Sequence, residues 1–359
     1  MHESHPLRIF WFSGLLTILL AGVVGYYDGL LGLWLFAILV VLEVTLSFDN
    51  AVVNSKVLAT MSRFWQTIFL TVGIFIAVFV VRFLLPIVIV QVASGMGFMD
   101  VVNMALYDAE HYGHVLHEAA PMIDAFGGAF LLMVALSYFL DHRKEVHWLK
   151  SVEPWLAKAG QFDNMRVALM LSLAGVLYFT VSEKYQEVVL ISCMLGILLH
   201  LGLGLMSSFF ANHEKHEEEA RKKAHGIKTK TGMAAFASFM YLEVLDASFS
   251  FDGVIGAFAI TSSILLIIAG LGVGAIWVRS MTVYLLRSGT LAKYRYLEHG
   301  AHWAILALGS VMFVKLYHVE PPEWMTGSLG LVFIGTAIVS SIIESRREQP
   351  KDDDGYVGL

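Results

Sequence analysis

Residues Leu31 to Leu58 read LGLWLFAILVVLEVTLSFDNAVVNSKVL. The run is about 28 residues, or about 42 Å as a straight helix, whereas about 20 residues suffice to cross a hydrocarbon core of about 30 Å. It is too apolar for a soluble surface helix, yet it carries Glu43 and Asp49 near its middle. The apolar length places the segment in a bilayer. The acids make it a candidate functional segment, because an ionisable residue at the centre of a membrane helix costs roughly 2.5–3.5 kcal/mol on insertion scales and persists where it is partnered or used.

The rest of the chain repeats this pattern. Of its 359 residues, 57% are hydrophobic and 15% charged, against roughly 45–50% and about 25% in an average soluble domain. That composition excludes a soluble multidomain enzyme and predicts a single polytopic membrane domain over residues 1–359. The formal net charge of −6 leaves no basic footprint for nucleic acid. The single cysteine, Cys193, can form neither an intrachain disulfide nor a thiolate metal site by itself.

Apolar stretches bounded by polar clusters predict an all-α integral membrane fold of about ten transmembrane helices. They run approximately Leu7 to Gly25, Leu31 to Leu58, Trp65 to Val90, Ile123 to Leu140, Met165 to Ser182, Glu187 to Phe210, Met233 to Ile260, Ser262 to Leu286, Ala301 to Tyr317 and Trp324 to Ile343. Cytoplasmic loops carry the Lys/Arg excess, and alternate loops here obey that rule. One set holds Arg143, Lys150, the cluster from Arg221 to Lys230, Arg295 and Arg346, whereas no Lys or Arg occurs between Val90 and Ile123. Both ends are therefore expected in the cytoplasm of a bacterium, with the protein in its inner membrane. Omitting the fifth span would put the cluster at Arg221 to Lys230 outside. The first span has Arg8 alone as a charged flank and no clear cleavage site before Tyr26, so it reads as a retained helix. Residues 348–359 read as a disordered polar tail.

The acid-bearing stretch has a counterpart. Glu43-Val-Thr-Leu-Ser-Phe-Asp49-Asn50 and Asp246-Ala-Ser-Phe-Ser-Phe-Asp252-Gly253 share an acid followed, six residues on, by the Asp of Ser-Phe-Asp. Arg82 and Arg279 recur in the span after each copy. The expected topology sends the two copies through the membrane in opposite directions. This predicts an inverted repeat of two three-helix units, helices 2–4 over residues 31–140 and helices 7–9 over 233–317, with the two motifs facing each other near the midplane, where secondary transporters bind substrate.

Glu43, Asp49, Asp246 and Asp252 would together cost on the order of 10 kcal/mol if uncompensated. They predict a divalent-cation site, because carboxylate, amide and hydroxyl oxygens are hard ligands suited to Mg²⁺, Ca²⁺ or Mn²⁺. Asn50 adds an amide ligand, and Glu243 lies one turn before Asp246. The alternative is that Arg82 and Arg279 neutralise two of the acids and the whole is structural. Six residues along a helix separate the acids of each motif by about 120° and roughly 9 Å. A break is therefore expected near Thr45 and Ser47 in one copy and near Ser248 and Ser250 in the other. In the outer loop, His111, His114 and His117 beside Asp108, Glu110 and Glu118 suit either a transition-metal relay or an amphipathic helix with solvated histidines. Gly202, Gly204 and Gly270 to Gly274 allow close helix packing, within one chain or in a homo-oligomer.

The two motifs, with Ala-Ile-Thr261 after the second, resemble the paired motifs of the TerC family of integral membrane proteins, within the LysE-type transporter superfamily. The second motif ends in Asp-Gly where family members often have Asp-Ser. The resemblance implies a helical carrier of inverted repeats whose metal-binding residues fall on Glu43, Asp49, Asn50, Asp246 and Asp252, with manganese export and tellurium-compound resistance as the associated activities. With no nucleotide-binding motif to power a pump, the expected function is a secondary transporter that exports a divalent metal, Mn²⁺ first, in exchange for protons. The metal is then substrate rather than cofactor, and no enzymatic activity is expected. A Ca²⁺/cation exchanger and a membrane metal-binding scaffold without flux are the alternatives. An intramembrane aspartyl hydrolase built on Asp49 and Asp252 would leave Glu43 and Asp246 without a role.

Overall fold

The computed structural model describes residues 6–162, 164–220, 229–261, 263–288, 293–319 and 321–348. The basic stretch from Arg221 to Lys228 and the expected disordered tail beyond Glu348 lie outside them. Within the described residues the chain is helical, with no strand beyond one isolated bridge between Met61 and Lys230. The helices are α1 (Pro6–Tyr27), α2 (Gly29–Leu46), α3 (Phe48–Ala59), α4 (Arg63–Phe75), a π-helical segment (Ile76–Leu84), α5 (Leu85–Ser94), α6 (Phe98–Tyr107), α7 (Ala109–Glu118), α8 (Ala120–Phe139), α9 (Glu153–Ala159), α10 (Met165–Thr180), α11 (Gln186–Ala220), α12 (Gly232–Ile260), α13 (Ile264–Arg287), α14 (Leu297–Lys315) and α15 (Glu323–Glu348).

Eight helical stretches in the described residues are long and apolar enough to cross a membrane. They coincide with eight of the ten expected spans. The other two are helices as well: α10 has 16 residues, and α12 has 29 but carries Glu243, Asp246 and Asp252. Large apolar side chains such as Trp11, Ile18, Leu31 and Trp34 are exposed on α1 and α2. Such a surface is stable against lipid and not against water. The chain is a multi-pass, all-α membrane protein.

Two irregularities shape the bundle. The second span breaks at Ser47 (φ −103°, ψ 13°), where α2 gives way to α3, as the spacing of its acids predicts. The expected break near Ser248 and Ser250 does not occur: α12 is continuous. There Ser248 returns its hydroxyl to the carbonyl of Val244, a bond that leaves the helical ladder intact. The third span widens into the π-helical segment, where the amide of Leu85 bonds to the carbonyl of Val80, five residues back. Pro86 follows directly. Lacking an N–H, Pro86 cannot bond to the carbonyl of Arg82, and a widened turn also relieves the clash of its ring.

The bridge places the end of α3 beside the start of α12, with Lys230 N bonded to Thr60 O at 2.8 Å and Ser62 N to Lys230 O at 3.0 Å. From there α12 runs away from that end for about 44 Å, so α3 and α12 are antiparallel. α13 packs on α1, α2 and α3, while α8 packs on α11 and α14. The loop after α5 forms two short helices, α6 and α7, that fold back onto the end of the bundle opposite Lys56 and Glu298. Val101, Met104, Tyr112 and Leu116 enter an apolar cluster there with Ile87, Val254 and Ile264. Gly270 and Gly274 do lie in close contact, with Leu39 and Glu43 of α2, whereas Gly202 and Gly204 face open space.

Candidate functional site

The two motifs cross in the middle of the bundle, and the first residue of each meets the last residue of the other. Asn50 Nδ2 donates to Asp246 Oδ1 at 2.7 Å. Gly253 faces Glu43 so closely that a Cβ there would stand 3.1 Å from Glu43 Oε2. Asp252 lies between these contacts in sequence, on α12, and its side chain is outside the described residues.

Each motif also engages the arginine of the following span. Glu43, 1% exposed, forms an ion pair with Arg82 and accepts the Ser47 hydroxyl at 2.9 Å. Gly274 makes this position accessible, since a Cβ there would lie 2.5 Å from Glu43 Cβ. Arg82 directs Nη1 to the Ala77 carbonyl at 2.7 Å, and its Nε has no hydrogen-bond partner. In the second copy, Arg279 forms a two-pronged pair with Glu243, both N···O distances being 3.0 Å, and reaches Asp246 Oδ2 at 3.4 Å. It donates also to Phe69 O at 2.9 Å, with its guanidinium 4.0 Å above the Phe69 ring. The sequence marks Glu243 only as a neighbour of Asp246; in the structure it is the principal partner of Arg279.

Asp49 differs from the other acids. It is 2% exposed and accepts the backbone N–H of Asn50 at 3.0 Å, with no basic partner among the described residues. Opposite it stands Gly330 of α15, where a Cβ would be 3.7 Å from Asp49 Cγ. Among the described residues, four buried side-chain oxygens on α3 and two helices packed against it lack hydrogen-bond partners: Asn50 Oδ1 and Asn54 Oδ1 on α3 itself, Ser250 Oγ on α12, and Thr326 Oγ1 on α15, one turn before Gly330 on the same face. All are hard donors. Glu43, Asp49, Glu243 and Asp246 face two guanidinium groups, so this described set has an excess of two carboxylates. Among the described residues no three His, Cys, Asp or Glu side chains converge as a ready-made metal cage.

A second polar cluster lies at one end of the bundle, where α9, outside the spans, meets the first turns of α14. Glu153 accepts from His299 Nδ1 at 2.7 Å, Trp303 Nε1 at 3.0 Å and the backbone amide of Trp148 at 3.0 Å. Burial pushes its carboxyl up, but the bonds from His299 and Trp303 and the charge of His299 outweigh that and hold it at about 2. Lys144 lies 3.5 Å from the centroid of the Tyr138 ring. Burial lowers its ammonium to about 8 despite the attraction of Glu153. At the same end, Lys56 of α3 pairs with Glu298 of α14. His111, His114 and His117 are exposed on α7, with His114 Nδ1 3.9 Å from Glu118 Oε1.

A described protein family matches residues 48–348, which include Asp49, Asn50, the second motif and both arginines. The chain belongs to the DUF475 family, proteins of unknown function. No curated protein and no solved structure matches it. The DUF475 description carries no activity, so the chemistry of the site has to be argued from its atoms.

Proposed function

We propose that this DUF475 protein is a secondary carrier that exports a hard divalent cation, Mn²⁺ first among them, across the bacterial inner membrane in exchange for protons. The observation that supports it is Asp49: a carboxylate buried in a membrane bundle, with no basic partner among the described residues, on the same helix as the unpartnered amide oxygens of Asn50 and Asn54. The described acids exceed the two guanidinium groups by two carboxylates before Asp252 is counted, enough for one divalent ion or for the two protons that would replace it. Glu43 and Asp246 then act less as direct ligands than as the paired frame that holds Asp49 and Asn50 in place. Asp252, six residues after Asp246, completes the expected set of Glu43, Asp49, Asn50, Asp246 and Asp252.

The reciprocal contact of the motifs and the antiparallel course of α3 and α12 support an inverted repeat of helices 2–4 and 7–9, and rocking of one unit against the other would give alternating access. The loop charges support ten crossings with both termini inside, and the likeness of the motifs to the TerC family points to the same activity. The arginine pairs favour one rival, a membrane scaffold that binds metal without moving it, because they make much of the charge structural.

Everted membrane vesicles under an imposed proton gradient separate these readings. Gradient-driven Mn²⁺ uptake that is abolished by Asp49→Asn is the expected result. Bound metal without uptake selects the scaffold, and uptake of Ca²⁺ but not Mn²⁺ selects a calcium exchanger.

A further inference from the structure

Between α5 and α8 the chain makes two short helices instead of a crossing. They sit at the end of the bundle where α12 finishes, away from Lys56 and Glu298. Their inner face is apolar: Val101, Ala105, Tyr112 and Leu116 are at most 3% exposed. Beneath them lies a cavity of about 20 Å³, room for a single water molecule. It is lined by Ala105 and Tyr112 from above, by Val254, Phe258 and Ile267 from the side, and by Arg82. That guanidinium is 4% exposed, with Nε unpartnered, and its far side is bonded to Glu43 of the first motif. The α6–α7 pair therefore covers a cavity that reaches from the end of the bundle to the arginine bonded to the first motif.

The attachment of the pair suits movement. α5 ends at Gly95, whose φ of +70° only glycine holds without strain, and Gly97 opens α6. The opposite end of the bundle is fastened differently, by the pairs Lys56–Glu298 and Lys150–Glu344 and by the hydrogen bonds to Glu153. On α7, Gly113 lies flat on Phe258, where a Cβ would be 3.1 Å from the ring, and Tyr112 packs against the same ring with centroids 5.6 Å apart.

We infer that the α6–α7 pair is the outer gate of the carrier, hinged at Gly95–Gly97 and closed over the cavity beside Arg82 and Glu43. This rests on the carrier assignment above. Opening parts Tyr112 and Gly113 from Phe258 and admits water to the arginine–glutamate pair, while the ion-paired inner end stays shut. The histidines of α7 ride on the solvent side of the moving pair.

Two arms test it in intact cells and vesicles. In the first, Phe258→Cys is exposed from outside to a membrane-impermeant maleimide, with Tyr107→Cys on the solvent surface as the fully reactive control and Ala105→Cys as a smaller change in the same cavity. In the second, Gly113→Cys/Phe258→Cys is oxidised to a disulfide and Mn²⁺ flux is measured before and after reduction. The gate predicts that both cavity cysteines react, more slowly than Tyr107→Cys, and that the disulfide lowers flux at least tenfold, with recovery on reduction. Undiminished flux through fully cross-linked protein overturns the gate and leaves the carrier standing. Absence of Mn²⁺ flux in uncross-linked wild type overturns Mn²⁺ as the cargo, and the labelling arm then decides the gate alone: cavity cysteines that never react reject the gate, whereas reaction at both upholds the opening of the pair.

Discussion

Asn50 and Asp246 are bonded across the two motifs at 2.7 Å, joining the last residue of one to the first of the other. Among the described residues Asn50 is the one donor to that carboxylate oxygen, while Arg279 serves the other. Asn50→Ala removes the donor and leaves a buried charge half satisfied, at a cost of about 1.5–3 kcal/mol. Thermal unfolding in detergent reads this directly, and an unchanged midpoint would show that the contact holds nothing together.

Arg82 and Glu43 must be tested as a pair. Arg82→Gln alone strands a buried carboxylate and should cost about 3–5 kcal/mol, whereas Glu43→Gln/Arg82→Gln removes both charges and recovers most of the loss. Folded yield and unfolding midpoint of these two variants and of Glu43→Gln alone give the coupling. Equal damage from the single and double variants would mean that the charges are not each other's partners.

Two glycines beside acids should respond in opposite ways. At Gly73 a Cβ would fall 2.4 Å from Arg279 Nη1 and 2.6 Å from Glu243 Oε1, so Gly73→Ala must displace the two-pronged pair and cost about 1–3 kcal/mol. At Gly330 the nearest Asp49 atom would be 3.7 Å away, ordinary contact. Gly330→Ala should fold with wild-type stability, and side-by-side unfolding curves check both.

The Glu153 cluster predicts an acid sensitivity. The folded-state value of about 2 lies below the ordinary 4.5, so the contribution of Glu153 is complete above about pH 4.5 and is lost as pH falls towards 2. Wild type should therefore lose more stability than Glu153→Gln across that interval. Parallel slopes in midpoint against pH would remove Glu153 from the account.

The spans were legible because apolar length is a local property, and so were the two motifs, because each lies on one helix. α10, at the fifth expected span, is a helix of 16 residues, and its place among the expected crossings rests on the charge of the loops beyond it. The pairing of Arg82 with Glu43 was visible as a charge balance but not as a geometry. Gly330 and Thr326 carry no signal at all in sequence, since a glycine and a threonine in an apolar helix usually serve packing. The Glu153 cluster was equally hidden: its partners His299 and Trp303 lie 146 and 150 residues away, and separation of that order has no periodicity to read. The continuous α12 shows the opposite failure: Thr45 and Ser248 bond to the carbonyl four residues back in both copies, but the Ser47 hydroxyl turns to the Glu43 carboxylate at the break, whereas Ser250 has no such partner among the described residues.

The π-helical segment from Ile76 to Leu84 has one further consequence. Each of its residues turns through less than the roughly 100° of an α-helical residue, so α4 and α5 are out of phase with each other. The face that α4 gives to Phe239 and Leu242 of α12 through Phe69 is not continued along α5, which instead gives Ile87 and Val90 to the cluster beneath α6 and α7. A single helix thereby serves two neighbours in two directions. Arg82 sits in the angular gap between them, and tightening the segment by one residue would swing its guanidinium away from Glu43 without touching either residue.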